Sequence, residues 1–582
     1  MTDESSDGLS AHNSTSGLNN NDAQGFLGVV VEGSLTQGVE VRLDPGTSVE
    51  NVKVGTFVTI QGSQYRFFGV ATDIALGNSD QRLKHLPLDL GDPFISQALL
   101  GTVAYGTVSV LPNLVMPLVR GDDEAAPSAA KTIPPQFSLA YSASEADVAT
   151  VFGQEDDRHF WIGSPLDMES KLCINLDELV KRSIGVFGKS GTGKTFLTRL
   201  LLVGILQSGQ ASSLIFDMHN EYGHGGRDSD RGIMVKGLKQ LFPSQVSTFT
   251  LDEDSSRRRG STPDEVVRIG YGEIEPEDIE LLRETLNLSD VAASSAFNLE
   301  QKFGPGKWME AFLDLEDRAA VFDLAAEIQV QPNALGSLYN RLTRLRRFGF
   351  LVKESGRAAA RIIEHLERGK HVVLEFGRYG DDLTAYILVS NLLSRRIHDA
   401  YVRQKEEAEG GAGKEPRPLV LVIEEAHKFL SPSVAPQTIF GTIARELRKY
   451  NVTLMVIDQR PSVISSEVMS QVGTRLTCAL DDERDIEAVL AGTSGSRQLR
   501  GVLARLEPKQ QALIFGHALP MPVVVHTREY GSAESYTLLT RGPMRESAAG
   551  NDGSPDAAET PETPTETPEQ RLEREVAELF QQ

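Results

Sequence analysis

At 582 residues, with 40% hydrophobic and 24% charged side chains, the chain is too long for one core and reads as two or three globular domains plus tails. No apolar run approaches the roughly 18 residues needed to span a bilayer, no signal-peptide pattern opens the chain, and Cys173 and Cys478 alone exclude a disulfide framework or a cysteine zinc site. The expected location is the cytoplasm. The net charge of −23 argues against non-specific coating of nucleic acid, yet about half of it sits in the two ends, which leaves a basic inner channel open.

Residues 1–24 are Ser-, Asn- and Asp-rich and are expected to be disordered. Over 25–118, "FLGVVVEGSL", "VEVRL", "VKVGTFVTI", "YRFFGVATDI" and "GTVAYGTVSVL" recur at the spacing of a small β-barrel, and from Pro134–Pro135 to 155 a linker is expected. Strand-like and helical runs then alternate over 156–270 and 366–541, the pattern of a parallel α/β sheet. "SIGVF", "SLIFDM", "KHVVLEF", "LVLVIEE" and "VTLMVID" are its candidate strands. Residues 271–365 read as a helical insertion between two of those strands. The Pro-, Thr- and Glu-rich stretch 542–582 is expected to be a disordered acidic tail. In it Leu572, Val576, Leu579 and Phe580 share one face of a short helix, either a docking peptide or a frayed turn.

The residues Gly188, Lys189, Ser190, Gly191, Thr192, Gly193, Lys194 and Thr195 fill the G-x-x-x-x-G-K-[ST] pattern between an apolar run and a helix-like one. Glycines let successive backbone N–H groups curl around the β- and γ-phosphates of ATP, and the helix dipole adds positive potential. Lys194 then reaches the phosphates and the Thr195 hydroxyl sits on Mg2+.

Five apolar residues, Leu419 to Ile423, end in Glu424 and Glu425, the arrangement of a Walker B strand. Glu424 would support the Mg2+ shell through water and Glu425 would polarise the attacking water. One strand later Asp458 and Gln459 stand at a carboxyl end, where ligands of α/β sheets bind, and Gln459 suits a γ-phosphate sensor. In "IARELRKY", Arg445 and Arg448 share a helical face with Lys449 beside them. Either is a candidate for a finger inserted into a neighbour's site, which requires an oligomer; a solvated helix face is the competing reading.

"FGKSGTGKT", "IFDMHNEY", "VIEEAHKFL", "IARELRKY", "DQRPSVISSEVMSQVGTRL" and "ALIFGHALPMPVVVH" occur in the order found in the HerA-like branch of the HerA/FtsK ATPases, which the chain resembles between its tails. The barrel of residues 25–118 is similar to that family's HAS barrel. The resemblance implies a RecA-like P-loop ATPase domain with a helical insertion behind a small β-barrel. It further implies a hexameric ring that uses ATP and Mg2+ to translocate or unwind double-stranded DNA, with a NurA-like nuclease or another effector, in end repair or defence. Carried over, Lys194 and Thr195 form the Walker A pair, Glu424 and Glu425 the Walker B pair, Gln459 the sensor, and Arg445 or Arg448 the finger. Two positions depart from the pattern, Leu447 where Gly is common and Asp458 where Ser is common, and neither is expected to touch the phosphate chemistry directly.

The alternative is a protein-remodelling P-loop ATPase, which needs a pore loop with an exposed aromatic between small residues. ABC-type and GTPase signatures, "LSGGQ" and "NKxD", are absent. His219, Glu221 and His224 in "DMHNEYGHGG" lie in a Gly-rich loop and are not expected to form a zinc site; Asp217 and Glu221 are expected to shape the outer shell of the ATP pocket or simply to cap the loop. Four arginines between Arg341 and Arg347 fit pore contacts, a subunit contact or a solvated face.

Overall fold

The computed structural model describes residues 25–541 apart from 80–102, 119–125, 228–231, 233, 355–356 and 447–448. The two expected tails, Leu447 and Arg448 lie outside the described residues.

Six strands, Phe26–Ser34, Gly38–Leu43, Phe57–Gln61, Tyr65–Asn78, Ala104–Pro117 and Leu139–Ser142, pair antiparallel in a closed circuit. Closure leaves no unpaired edge. Alternation along each strand sends Val30, Val39, Val41, Val58, Ile60, Phe67, Ala71, Val108 and Val110 inward. The closing strand lies in the stretch expected as a linker. Leu139–Ser142 fits between Phe26–Ser34 and Phe57–Gln61, with Ala140 fully buried and small enough for the crowded interior. On the barrel's outer face Phe57, Phe68, Val70 and Leu114 pack with Val148, Phe152 and Phe160, which joins the barrel to the sheet that follows.

That sheet has twelve strands. From one edge they run Glu265–Val266, Val246–Thr250, His371–Glu375, Ser212–Asp217, Leu419–Glu424, Val452–Asp458, Ser183–Phe187 and Val472–Thr477. Gln511–Gly516, Val523–Thr527, His159–Pro165 and Leu172–Asn175 follow to the other edge. The first eight are parallel and the last four join antiparallel, so the sheet is mixed where alternation alone implied a parallel one. The central parallel strands are buried along their whole length, which is why they read as unbroken apolar runs.

Helices Pro276–Leu281, Asp290–Phe303, Trp308–Leu313, Arg318–Glu327 and Pro332–Leu345 form their own packed block around Trp308, whose indole N–H donates to the Ile274 carbonyl at 3.1 Å. The chain leaves the sheet at Glu265–Val266 and returns at His371–Glu375, directly beside Val246–Thr250, so the block does not interrupt the strand order. The next helix, Ala358–Glu367, lies on the strands His371–Glu375 and Ser212–Asp217. Among the described residues no helix is long and apolar enough to cross a membrane.

Candidate active site

The strand Ser183–Phe187 delivers the chain into a loop that only glycine satisfies at three points. Gly188 has φ +150°, and a Cβ there would stand 2.8 Å from both Cys478 Cβ and Thr192 Oγ1. Gly191 and Gly193 take φ values of +76° and +96°, and a Cβ on either would meet nothing within 4 Å. Their requirement is therefore conformational, with open space above the loop. Gly193 caps the helix Lys194–Ser208, so that helix's free N–H groups face the same space. Within the loop Lys194 Nζ and Thr192 Oγ1 both donate to the Lys189 carbonyl, at 2.9 and 2.8 Å. The Lys189 ammonium itself turns outward to Asp481 at 2.7 Å. Burial draws the Lys194 ammonium below its ordinary value, and Cys478 and the carboxylates of Glu425, Asp458 and Glu424 offset only part of this.

The strand Val452–Asp458 separates the P-loop strand from Leu419–Glu424, with Phe187 beside Asp458 and Glu424 beside Ile457. This register carries Gln459 past the strand end and between the loop and the two glutamates. Gln459 Nε2 donates to Glu425 Oε1 at 3.2 Å. Glu425 holds a left-handed backbone, φ +48°, which costs a side-chain-bearing residue about 1–2 kcal/mol and turns its carboxylate out of the strand line.

Glu424 is 7% exposed. Tyr222 Oη donates to its Oε1 at 3.0 Å, and Tyr386 Oη donates to its main-chain carbonyl at 2.9 Å. Its second oxygen, Oε2, is buried with no hydrogen-bond partner among the described residues. Burial, and then the charges of Asp217 and Glu221, push this carboxyl far above the usual range. An orphaned carboxylate oxygen and the Thr195 hydroxyl on one cleft are hard oxygen donors of the kind Mg2+ takes, and a divalent cation there would favour the ionised Glu424.

Asp458 does not face solvent as a bare strand-end acid. Its Oδ2 accepts from the His427 backbone N–H at 2.7 Å and lies 3.0 Å from His427 Nδ1, while Oδ1 accepts from the Arg460 N–H at 2.7 Å. Burial raises this carboxyl, but the His427 and Arg460 hydrogen bonds outweigh it and hold it below the ordinary value. Asp217 is fully buried and accepts the N–H groups of Glu221, Tyr222 and Gly223 at 2.7, 2.8 and 3.3 Å. It thereby folds the loop that presents Tyr222 to Glu424. Burial and the neighbouring Glu375 raise Asp217 to about 7.

A cleft of about 740 Å³ is lined by the loop residues from Ser190 to Thr195 together with His219, Glu221, Glu424, Glu425, Asp458 and Gln459. Its far wall comes from Lys509–Gln511 and Thr527–Tyr530, where the Arg528 guanidinium stacks 4.3 Å from the Trp161 ring. Sequence reasoning missed that wall, along with Tyr222, Tyr386 and His427. For the last, the "EEAH" string was the available signal.

Other candidates lie elsewhere. Arg445 is exposed and lines a separate cavity of about 1550 Å³, together with Arg182, Lys449 and Arg475, between the barrel and the sheet. His224 turns from the cleft to Glu375, 3.4 Å away, and among the described residues no group of three or more His, Cys, Asp or Glu could hold a metal. Of the arginine cluster, Arg346 donates to the Leu313 carbonyl at 2.6 Å and Arg347 pairs with Asp382.

Residues 160–397 match the family model described as the central domain of helicase HerA, and residues 27–89 match the HAS barrel domain. The DNA double-strand break repair helicase HerA of Saccharolobus solfataricus is 24% identical over 488 residues, covering 81% of this chain and 87% of that one. The same-named protein of Pyrococcus furiosus is 24% identical over 416 residues, covering 66% and 72%. The solved structure of VirB4 of Thermoanaerobacter pseudethanolicus overlaps 65% of this chain and 98% of its own, at 14% identity and a TM-score of 0.44. Barrel, P-loop sheet and both family matches agree: the chain belongs to the HerA family of P-loop ATPases.

Proposed function

We propose that this chain is an ATP-dependent translocase of double-stranded DNA that works as a homo-oligomeric ring, a hexamer, in company with a nuclease or effector that processes DNA ends. The observation that carries the reading is the convergence of the P-loop, Glu424, Glu425 and Gln459 on one cleft. The relatives named as DNA double-strand break repair helicases supply the substrate class.

In this reading the loop N–H groups and Lys194 hold the β- and γ-phosphates, and Lys194 leaves the Lys189 carbonyl to do so. Glu425 accepts the proton of a water as that water's oxygen bonds to the γ-phosphorus. The bond from that phosphorus to the β,γ-bridging oxygen breaks, and ADP leaves. Gln459 orients the water and the carboxylate together. Mg2+, held by Thr195 and Glu424, would neutralise charge developing on the phosphate oxygens.

Arg445 lines a cavity other than its own chain's cleft, so as a finger it would serve a neighbour's nucleotide, with Arg448 as the second candidate. Mixing an Arg445→Ala or Arg448→Ala chain with a Glu425→Gln chain tests this. Partial activity returns at interfaces where both intact residues meet, and an active monomer at every concentration contradicts it.

A further inference from the structure

Glu425 has a hydrogen-bond donor at one oxygen and a charge partner near the other. Gln459 takes Oε1 at 3.2 Å, and His427 Nδ1 lies 3.6 Å from Oε2. The same imidazole nitrogen is 3.0 Å from Asp458 Oδ2, and that oxygen also accepts the His427 backbone N–H at 2.7 Å. The Asp458 side chain is fully buried, whereas that of His427 is 28% exposed. Behind the ring Phe429 and Leu430 are fully buried, so the short helix His427–Leu430 cannot drift from the strand ends. Asp458 is thus an anchor in the sheet, His427 the arm on it, and Glu425 the group the arm steadies.

We propose that His427 is a positioning residue for Glu425, set by Asp458, so that this glutamate, hydrogen-bonded by Gln459 at one oxygen and drawn electrostatically by the imidazolium at the other, keeps the geometry from which it takes a proton from water. The inference rests on Glu425 being the proton acceptor in the proposed function. It also gives Asp458, a departure from the family's common Ser, a use that Ser would not supply: a short hydroxyl cannot accept two N–H groups as an anion.

The charged groups facing the ring are Asp458, Glu425 and Lys428, with Lys194 across the cleft acting on both acids. The Asp458 hydrogen bond raises His427 above its ordinary value, while burial and Lys428 oppose it. The imidazolium therefore persists into higher pH. As pH climbs through the raised value the ring loses its charge and its attraction for Glu425, and turnover falls on the alkaline side.

The experiment uses the full-length protein, with ATP binding and steady-state hydrolysis followed across pH. His427→Ala should lower kcat about 100-fold, the scale expected for a reacting group displaced by an ångström. ATP affinity, set by the P-loop, should stay within about two-fold and report that the cleft still folds. Asp458→Asn should move the alkaline limb of the kcat profile to lower pH, which loss of packing alone does not do. A His427→Ala protein with native kcat, an equal loss in ATP binding, or an unmoved limb in Asp458→Asn overturns the proposal. Glu425→Gln separates the two claims. If it hydrolyses ATP at the native rate, the assignment of the proton acceptor fails and takes this inference with it; if it is dead while His427→Ala is native, only the role of His427 fails.

Discussion

Gln459 donates its side-chain amide to Glu425 across 3.2 Å, joining the ends of two neighbouring parallel strands directly above the P-loop. The link exists because the strand bearing Gln459 is inserted between the P-loop strand and the glutamate strand. A residue one step beyond that strand therefore sees both the phosphate loop and the glutamate.

Two substitutions separate binding from hydrolysis. Lys194→Ala should abolish measurable ATP binding, since the ammonium is the cation at the loop's centre. Glu425→Gln should bind ATP with near-native affinity while kcat drops by at least about 100-fold, the usual scale of a lost general base. Equilibrium binding of a fluorescent ATP analogue beside phosphate release checks both. Native turnover in Glu425→Gln would falsify the assignment.

Tyr222→Phe removes the hydroxyl that satisfies Glu424 Oε1. A buried carboxyl left without that donor costs about 1–3 kcal/mol, to be read as a lower thermal midpoint. Glu424 should also lose its fixed orientation, so the Mg2+ concentration for half-maximal hydrolysis should rise. An unchanged Mg2+ requirement would show that Tyr222 does not set the geometry of Glu424.

Asp217 provides a pH test. Its folded value of about 7 lies above the ordinary 3.8, so in this window the folded chain keeps a proton that the unfolded chain releases. The cost is absent below about pH 3.8, grows as pH rises, and levels off above about pH 7. Thermal midpoints at intervals between pH 4 and 8 should show a component of stability lost over that range. In Asp217→Asn this component should vanish even though the variant is less stable at acid pH. The same slope in both proteins would place the titration elsewhere.

The barrel is tied to the ATPase sheet through Phe57 and Phe68, both nearly or fully buried. Phe68→Ala should cost about 3–5 kcal/mol of stability, the usual penalty for an emptied aromatic site. Below the new midpoint ATP affinity should be unaltered, because this ring does not line the ATP cleft. Chemical denaturation and ATP titration on one preparation decide it.

What could be read from the chain alone follows from how local each demand is. The loop Gly188–Thr195 was legible because each residue there answers a backbone or ligand requirement set within eight positions. Glu424, Glu425 and Gln459 were legible because strand ends are marked by an abrupt change from apolar to polar. Tyr222 and Tyr386 were not, since each meets Glu424 only through the sheet order, across 202 and 38 residues of chain. Leu139–Ser142 is too short for alternation to declare itself, and it closes the barrel only because two earlier strands await a partner. Val246–Thr250 and His159–Pro165 hide for another reason: Thr, Ser and Gly interrupt their apolar pattern. Asp458 was placed at the ligand-binding strand edge and expected not to touch the phosphate chemistry directly; its partner His427, which borders Glu425, lies 31 residues away and was not legible.

The measurement closest to the central claim is steady-state ATP hydrolysis in the presence of linear duplex DNA, closed circular duplex, single strands and unfolded polypeptide, each across a range of salt. Linear duplex should stimulate most, with little dependence on sequence, because phosphate contacts carry no base information. Stimulation should fall steeply with salt as counterions regain the phosphates. Hydrolysis raised by unfolded polypeptide and not by any DNA would contradict the account and assign the chain to protein remodelling.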